Sequence, residues 1–377
     1  MLNGRLLSGL IIIACWGCGD APLGEPGPDA GPDAEPVDPE VFCDEAGTYT
    51  AIASGSVTGM DASRVFFRDG DTLKTWPKAG GRVVPFPRQD LGSRFTLSGD
   101  RYYWPRATEV VVTNELGETL ATAQLATTNQ IVELVAANGG GVYIRTQCLS
   151  DQSQPCPSPS PPDTIEFLAS DSSAAQPVIT ATAPIRAMAA GADALIWLER
   201  GESSAPGVIK KWQPSTGATT LVDPIMDVSN SPETMVIDGL EFLHTARLAD
   251  PFTPLRIQRR SLETGALIGS YPTAVPSRPS SDANHLRLDD QLYWTESSVL
   301  VGPSSQGICL HATGLFRMPR TGGPAQSLDS TAANEPIFVD ANHVFYTYRR
   351  ESYCCFGNGH TCPPPPPTPP EVRCYRK

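Results

Sequence analysis

Asp289-Asp290-Gln291-Leu292-Tyr293-Trp294-Thr295 and Asp340-Ala341-Asn342-His343-Val344-Phe345-Tyr346-Thr347 are the two fullest copies of one motif: an acid, a short polar spacer, an aliphatic residue and two aromatics. Weaker copies centre on Arg64-Val65-Phe66-Phe67, Arg101-Tyr102-Tyr103-Trp104, Gly141-Val142-Tyr143-Ile144, Ala194-Leu195-Ile196-Trp197 and Leu240-Glu241-Phe242-Leu243, at intervals of roughly 37 to 53 residues. Each run is rich in β-branched and aromatic residues and bounded by Asp, Asn or Gly, which marks a strand. A strand returning at this period signals radial repetition. The predicted fold is therefore all-β, a β-propeller of seven blades with four antiparallel strands each.

Other strands follow from the same frame. A third strand recurs as Thr72–Pro77, Val208–Gln213, Arg256–Ser261 and Gly314–Pro319, closed by turns carrying Gly81, Gly217, Gly265 and Gly322-Gly323. Glycine there suits the positive φ of a tight hairpin. The last unit runs out after three strands, at Ile337–Asp340, Val344–Tyr348 and Glu371–Arg376. Thr48–Ala53, ahead of the first blade, is free to supply the fourth. A ring closed by strands from both termini leaves no open sheet edge. The pattern resembles the YWTD- and NHL-type propellers, although Glu296 stands where the closing Asp of the tetrad would fall. That resemblance implies architecture only.

The first 14 residues read as an export leader. Arg5 is their one charge, and Leu6–Ala14 is too short for a bilayer-spanning helix, which needs about 20 residues. Ile12-Ile13-Ala14-Cys15 resembles the bacterial lipobox, which implies lipidation of Cys15; Cys18 is a poorer fit, and a plain secretory signal is the alternative. Residues 15–45 form a Pro/Gly/acid-rich spacer, expected to be extended and disordered. Residues 46–377 form the propeller. Nine of the chain's 41 acidic side chains lie in the spacer, leaving the remainder near −5 and giving no support for nucleic-acid binding. The expected location is the cell envelope, on the periplasmic or outer surface, with the lipid as membrane anchor.

In an exported chain the eight remaining cysteines are expected to be paired. Cys148–Cys156 and Cys354–Cys362 share one spacing and precede Pro-rich runs in blades three and seven, so each reads as a stapled insertion. Cys43–Cys374 would lock the ring, and Cys309–Cys355 is the residual pair, with Cys354 and Cys355 free to exchange roles. Zinc held by Cys354, Cys355, Cys362 and His360 is the competing reading, disfavoured by export.

No catalytic, cofactor or metal motif is present. The Asp at strand junctions (Asp61, Asp100, Asp193, Asp238, Asp289, Asp340) is expected to cap turns rather than form a carboxylate ring. Gly139-Gly140-Gly141 reads as a turn, not a phosphate cradle. Of the histidines (His244, His285, His311, His343, His360), three fall in expected loops between second and third strands: His244, His311 and His360. Long insertions at Arg145–Thr164, His244–Leu255, Glu296–Thr313 and Arg349–Pro370 should project from one face. These readings favour a non-catalytic binding or scaffolding module for a protein or glycan on that face. A hydrolase or lyase with its site at the central channel is the alternative.

Overall fold

In the computed structural model, seven antiparallel sheets form the blades of a β-propeller, and no helix occurs among the described residues. Those are residues 40–377 apart from 93, 150–155, 158–159, 201–206, 226–233, 247–255, 274–281, 302–307, 331, 333–334, 350–352 and 355–368. Cys15 and the leader lie outside them. The innermost strands are Ser56–Met60, Thr96–Ser98, Gln130–Ala136, Ile185–Ala190, Met235–Asp238, Asp282–Leu288 and Phe338–Val339. In blades one to six, chain order runs outward from each to the fourth strand of its blade. Blade seven is built from both ends of the chain: Tyr49–Ser54 pairs with Glu371–Arg376.

Side chains along a strand point alternately to its two faces, so a blade offers one apolar face to each neighbour. The motif strands show this residue by residue. Tyr102 and Trp104 pack toward blade one with Phe66, while Tyr103 between them packs toward blade three with Val142 and Ile144. Leu292 and Trp294 face blade five and Tyr293 faces blade seven. Among the described residues the core forms seven such clusters, one between each pair of adjacent blades. Trp76, Trp104, Trp197 and Trp294 are among the largest fully buried side chains.

The junction of blades seven and one holds the Cys43–Cys374 disulfide, with Ile52, Phe67, Trp76 and Phe345 around it. Val41 exchanges two backbone hydrogen bonds with Gly81 of blade one (2.9 and 3.0 Å), so the chain joins the ring ahead of the composition boundary at residue 45. Gly265 shows why the turn glycines matter. Its φ is +72°, and a Cβ there would lie 2.0 Å from the Leu221 carbonyl of the neighbouring blade.

A second tie repeats around the opposite face. The cation just after a third strand reaches back to the turn Asp of the preceding blade. Lys78 meets Asp340 at 2.8 Å, Lys377 meets Asp289 at 2.5 Å, and Arg320 meets Asp238. Asp340 also accepts the amides of Asn342 and His343, both at 2.9 Å, and Asp61 accepts those of Ser63 and Arg64. Turn capping and blade-to-blade pairing thus share these carboxylates. Burial raises the Asp340 carboxyl, but Lys78 and the two amides outweigh it and leave it below its ordinary 3.8.

The insertions differ from the expected loops most in blade six. Glu296–Thr313 is not a loop: the second strand of blade six runs Gln291–Val301 and the third Ile308–Pro319, a hairpin that extends past the sheet. The short strand Tyr353–Cys354 joins it, placing Cys354 opposite Cys309 in the backbone register. Cys355, Cys362 and His360 lie outside the described residues.

Closing a loop of 331 residues with Cys43–Cys374 stabilises a fold by about 6 kcal/mol in the chain-entropy picture, of which native disulfides typically deliver about 2–4. The Cys43→Ala/Cys374→Ala variant is expected to lose about 3 kcal/mol in urea unfolding; an unchanged midpoint would show the bond to be dispensable. For Lys78–Asp340, a double-mutant cycle with Lys78→Met and Asp340→Asn should give a coupling of about 1 kcal/mol at pH 7. Because the folded carboxyl titrates below 3.8, that coupling is complete above this pH and fades as the pH falls below it.

Candidate functional site at the channel mouth

Each second strand runs antiparallel to the innermost one, so its end lies level with the beginning of the innermost strand. Gln147 opposite Gln130 shows this in blade three. The channel entrance and the second-to-third-strand loops therefore share one face. At that end four innermost strands slip register against their neighbour, leaving Thr58, Val132, Arg186 and the His285-Leu286 pair as extra residues. Bulges of this kind re-aim side chains. His285 takes a left-handed φ of 56°, rare for a residue with a Cβ.

A cavity of about 380 Å³ opens there, lined by Thr58, Arg94, Thr96, Glu133, Pro336 and Phe338 with neighbouring aliphatics. Its walls come from blades one, two, three and seven. Glu133, 34% exposed, points into it and meets Arg145 Nη1 at 3.2 Å. That contact is an ion pair without hydrogen-bond alignment, and Arg145 Nε is buried with no hydrogen-bond partner among the described residues. Enclosure by the channel wall pushes the Glu133 carboxyl up, and Arg145 and Arg287 only partly pull it back. Burial likewise lowers the Arg287 guanidinium, with Glu133 opposing that shift and Arg94 adding to it. Glu133 and Arg145 are thus a cross-strand pair of blade three, and Arg287 of blade six acts on the same carboxyl.

A second cavity of about 450 Å³ lies beside the insertion of blade three, between Cys148, Pro161, Asp163 and Pro184. Cys148 is bonded to Cys156, which ties the base of that insertion. Asp163 accepts the Ile185 amide at 2.8 Å. Burial raises its carboxyl, and Arg145 and Arg186 act against that.

His244 is not in a loop. It lies in the second strand of blade five, Glu241–Ala246, buried at 1% exposure and stacked on Phe242. Burial pushes it down to about 4, with Arg260 adding to the shift. His311 falls within the third strand of blade six. The histidines do not form a shared site among the described residues. The one metal-like grouping there is His343 with Cys43 and Cys374, whose sulfurs are bonded to each other. Glu296, in the place of the expected Asp, is buried and accepts hydrogen bonds from Trp294 Nε1 (3.4 Å) and Thr273 (3.3 Å). Glu199 does the same with Trp197 and Thr182. Both secure the crossover from the preceding blade. Gly139, Gly140 and Gly141 all have positive φ, as a turn before a strand requires.

No family model matches the chain, and no curated protein matches it. Solved structures match at low identity. A prolyl endopeptidase is 12% identical with a TM-score of 0.52, covering 79% of this chain and 47% of that one, so the chain spans about half its length. YCF48 bound to D1 peptide is 11% identical with a TM-score of 0.51, covering 87% of this chain and 100% of that one. The uncharacterized protein lmo1340 from Listeria monocytogenes EGD-e is 11% identical with a TM-score of 0.52, covering 83% and 97%. Likeness at this level establishes the propeller fold alone.

The buried histidine gives a pH test. His244 is neutral in the fold down to about 4 but protonates near 6.5 when unfolded. Its contribution is therefore complete above 6.5 and is lost as the pH falls from 6.5 toward 4. Unfolding free energy should drop by on the order of 3 kcal/mol across that window, and His244→Phe should flatten the slope. An equal slope in the variant would assign the loss to other groups.

Proposed function

We propose that the chain is an exported, lipid-anchored propeller that acts as a non-catalytic binding module at the cell envelope, engaging a protein or glycan on the channel-mouth face. The observation that carries this reading is the pairing of a closed ring with two separate cavities on the face that bears the insertions. Binding sites are commonly such preformed concavities with a few convergent polar groups. The two disulfides fit an oxidising compartment, and the leader with its lipobox-like end supports export and anchoring through Cys15. Among the structural neighbours, YCF48 carries a bound peptide and is matched over its whole length, which favours an extended protein segment as ligand. The likeness to YWTD- and NHL-type propellers is proposed at the level of the blade motif only.

The four cysteines not bonded among the described residues are proposed to be paired as well. The register of Cys309 opposite Cys354 favours the exchanged scheme, Cys309–Cys354 with Cys355–Cys362. One observation favours the rival enzyme: Glu133, a carboxyl pushed up in a cavity, has the character of a general acid. A single such group beside a cation lacks the second partner that acid–base hydrolysis needs.

Unreduced intact and peptide-level mass spectrometry of the protein from membranes of its native host tests location and pairing together. A diacyl or triacyl mass on Cys15, with all eight ring cysteines oxidised, is expected. An unlipidated chain with free thiols overturns the envelope reading. Turnover of a hydrolase or lyase substrate that disappears in Glu133→Gln overturns the non-catalytic one.

A further inference from the structure

The 450 Å³ cavity beside the insertion of blade three holds a single charge. Asp163 is the one ionisable side chain among its lining residues, and Pro161, Pro162, Ala181 and Pro184 make its walls largely apolar. Arg145 and Arg186 act on that carboxyl from outside, and neither lines the cavity.

Asp163 is held in place but only half engaged. It is buried at 7% exposure. Its Oδ2 accepts the Ile185 amide at 2.8 Å, and its backbone carbonyl accepts the Ala181 amide at 2.9 Å. Those two bonds fix the carboxyl beside the start of the innermost strand of blade four. Oδ1 has no hydrogen-bond partner among the described residues. It is not sealed in, as the unpartnered Thr58 Oγ1 and Arg145 Nε are, so the cavity is its opening. Buried polar groups in folded proteins are satisfied, and here the donor has to come from a ligand.

Two more acceptors line the same space. The Gln147 and Ser160 side chains make no hydrogen bond with any described residue. The Cys148–Cys156 bond ties the strand end that carries Gln147 to the returning segment that carries Ser160 and Asp163. Asn129 Nδ2 also donates to the Pro162 carbonyl at 3.0 Å, which secures that wall to the innermost strand of the same blade. The concavity is therefore formed before any ligand arrives.

A carboxylate oxygen, an amide oxygen and a hydroxyl, with no cation among them, are the complement of a cationic donor. Asp163 also decides its form. With Oδ2 taken by Ile185, only one carboxylate oxygen is on offer, whereas a guanidinium draws its advantage from two parallel bonds to both oxygens. A primary ammonium is a compact charge with three donors that single acceptors from several residues can satisfy. Proline and alanine walls suit the aliphatic stem that carries it. The net charge of −13 favours the approach of a basic partner.

We infer that this cavity is a lysine-binding subsite, in which the ammonium of a basic segment of a protein ligand donates to Asp163 Oδ1, Gln147 and Ser160 while its stem lies along the proline walls. This rests on the binding-module reading and names the chemistry of its ligand.

The test uses the full mature chain and fluorescein-labelled hexalysine followed by anisotropy at neutral pH and physiological salt, with hexa-acetyllysine as the neutral control and hexaarginine as the guanidinium control. Hexalysine is expected to bind, and Asp163→Asn to weaken it by about tenfold, the loss of one charged hydrogen bond. Asp100→Asn, which removes the same charge from the opposite face, should leave binding unchanged. Should Asp163→Asn lower the thermal midpoint, Ser160→Ala at an exposed position decides instead, with a loss of about threefold; unchanged binding there overturns the inference. Equal weakening by Asp163→Asn and Asp100→Asn would show attraction to net charge alone and also overturns it, as does no binding of hexalysine. Hexaarginine binding more tightly than hexalysine, with the same dependence on Asp163, overturns the ammonium assignment. If hexa-acetyllysine binds as tightly as hexalysine, the binding-module reading stands and only the charge assignment falls.

Discussion

A blade of this protein cannot bury both of its faces by itself. Its second strand carries adjacent large side chains that point opposite ways, as Tyr102-Tyr103-Trp104 and Leu292-Tyr293-Trp294 do, so every blade requires a neighbour on each side. At roughly 25 cal/mol per Å² of apolar surface, one exposed blade face would forfeit several kcal/mol. The requirement propagates from blade to blade and is met only when the last meets the first. Ring closure is thus the condition on which every other contact depends. The junction of blades seven and one accordingly combines a disulfide, a strand borrowed from the N-terminus, an apolar cluster and the Lys78–Asp340 pair.

A closed ring also produces the candidate site without any motif. Glu133 and Arg145 meet as a cross-strand pair of blade three. The approach of neighbouring blades to one axis brings Arg94 to the same cavity as Glu133. Their aims depend on local register slips, where Val132, Arg186 and His285 are the extra residues. The rigid outer structure and the adjustable inner strands divide the labour: aromatic clusters set the geometry, and bulges choose what faces the channel.

This division explains which features were legible in the sequence. The second strands were readable because their aliphatic–aromatic runs recur, and the third strand of blade seven falls at Glu371–Arg376 as expected. The cystines Cys43–Cys374 and Cys148–Cys156 fall where ring closure and the repeated insertion lead one to expect them. The hairpin of blade six was hidden, since Ser297-Ser298 and Gly302-Pro303 interrupt the apolar run that marks a strand. The aromatic-aliphatic run Phe242-Leu243 ends before His244, so sequence alone places His244 at the start of the insertion, while pairing to Gln258 keeps it in the sheet. The cations that tie neighbouring blades did leave a signal: Lys78, Arg320 and Lys377 each stand one residue past a third strand. That position reads as an ordinary solvated charge until its partner in the preceding blade is known.

The Cys43–Cys374 bond has a mechanical consequence. Residues ahead of Val41 are the route by which any tether reaches the ring, and Cys43 lies between them and the strand Tyr49–Ser54. Tension arriving along that route passes through the sulfur bridge into Glu371–Arg376, a strand held on both sides. The outermost strand, which backbone hydrogen bonds join to one neighbour only, lies beyond the bridge and carries none of the load. A pull applied ahead of Cys43 would therefore meet a covalent bond into the middle of the sheet, and the clasp that closes the ring would also resist its unzipping.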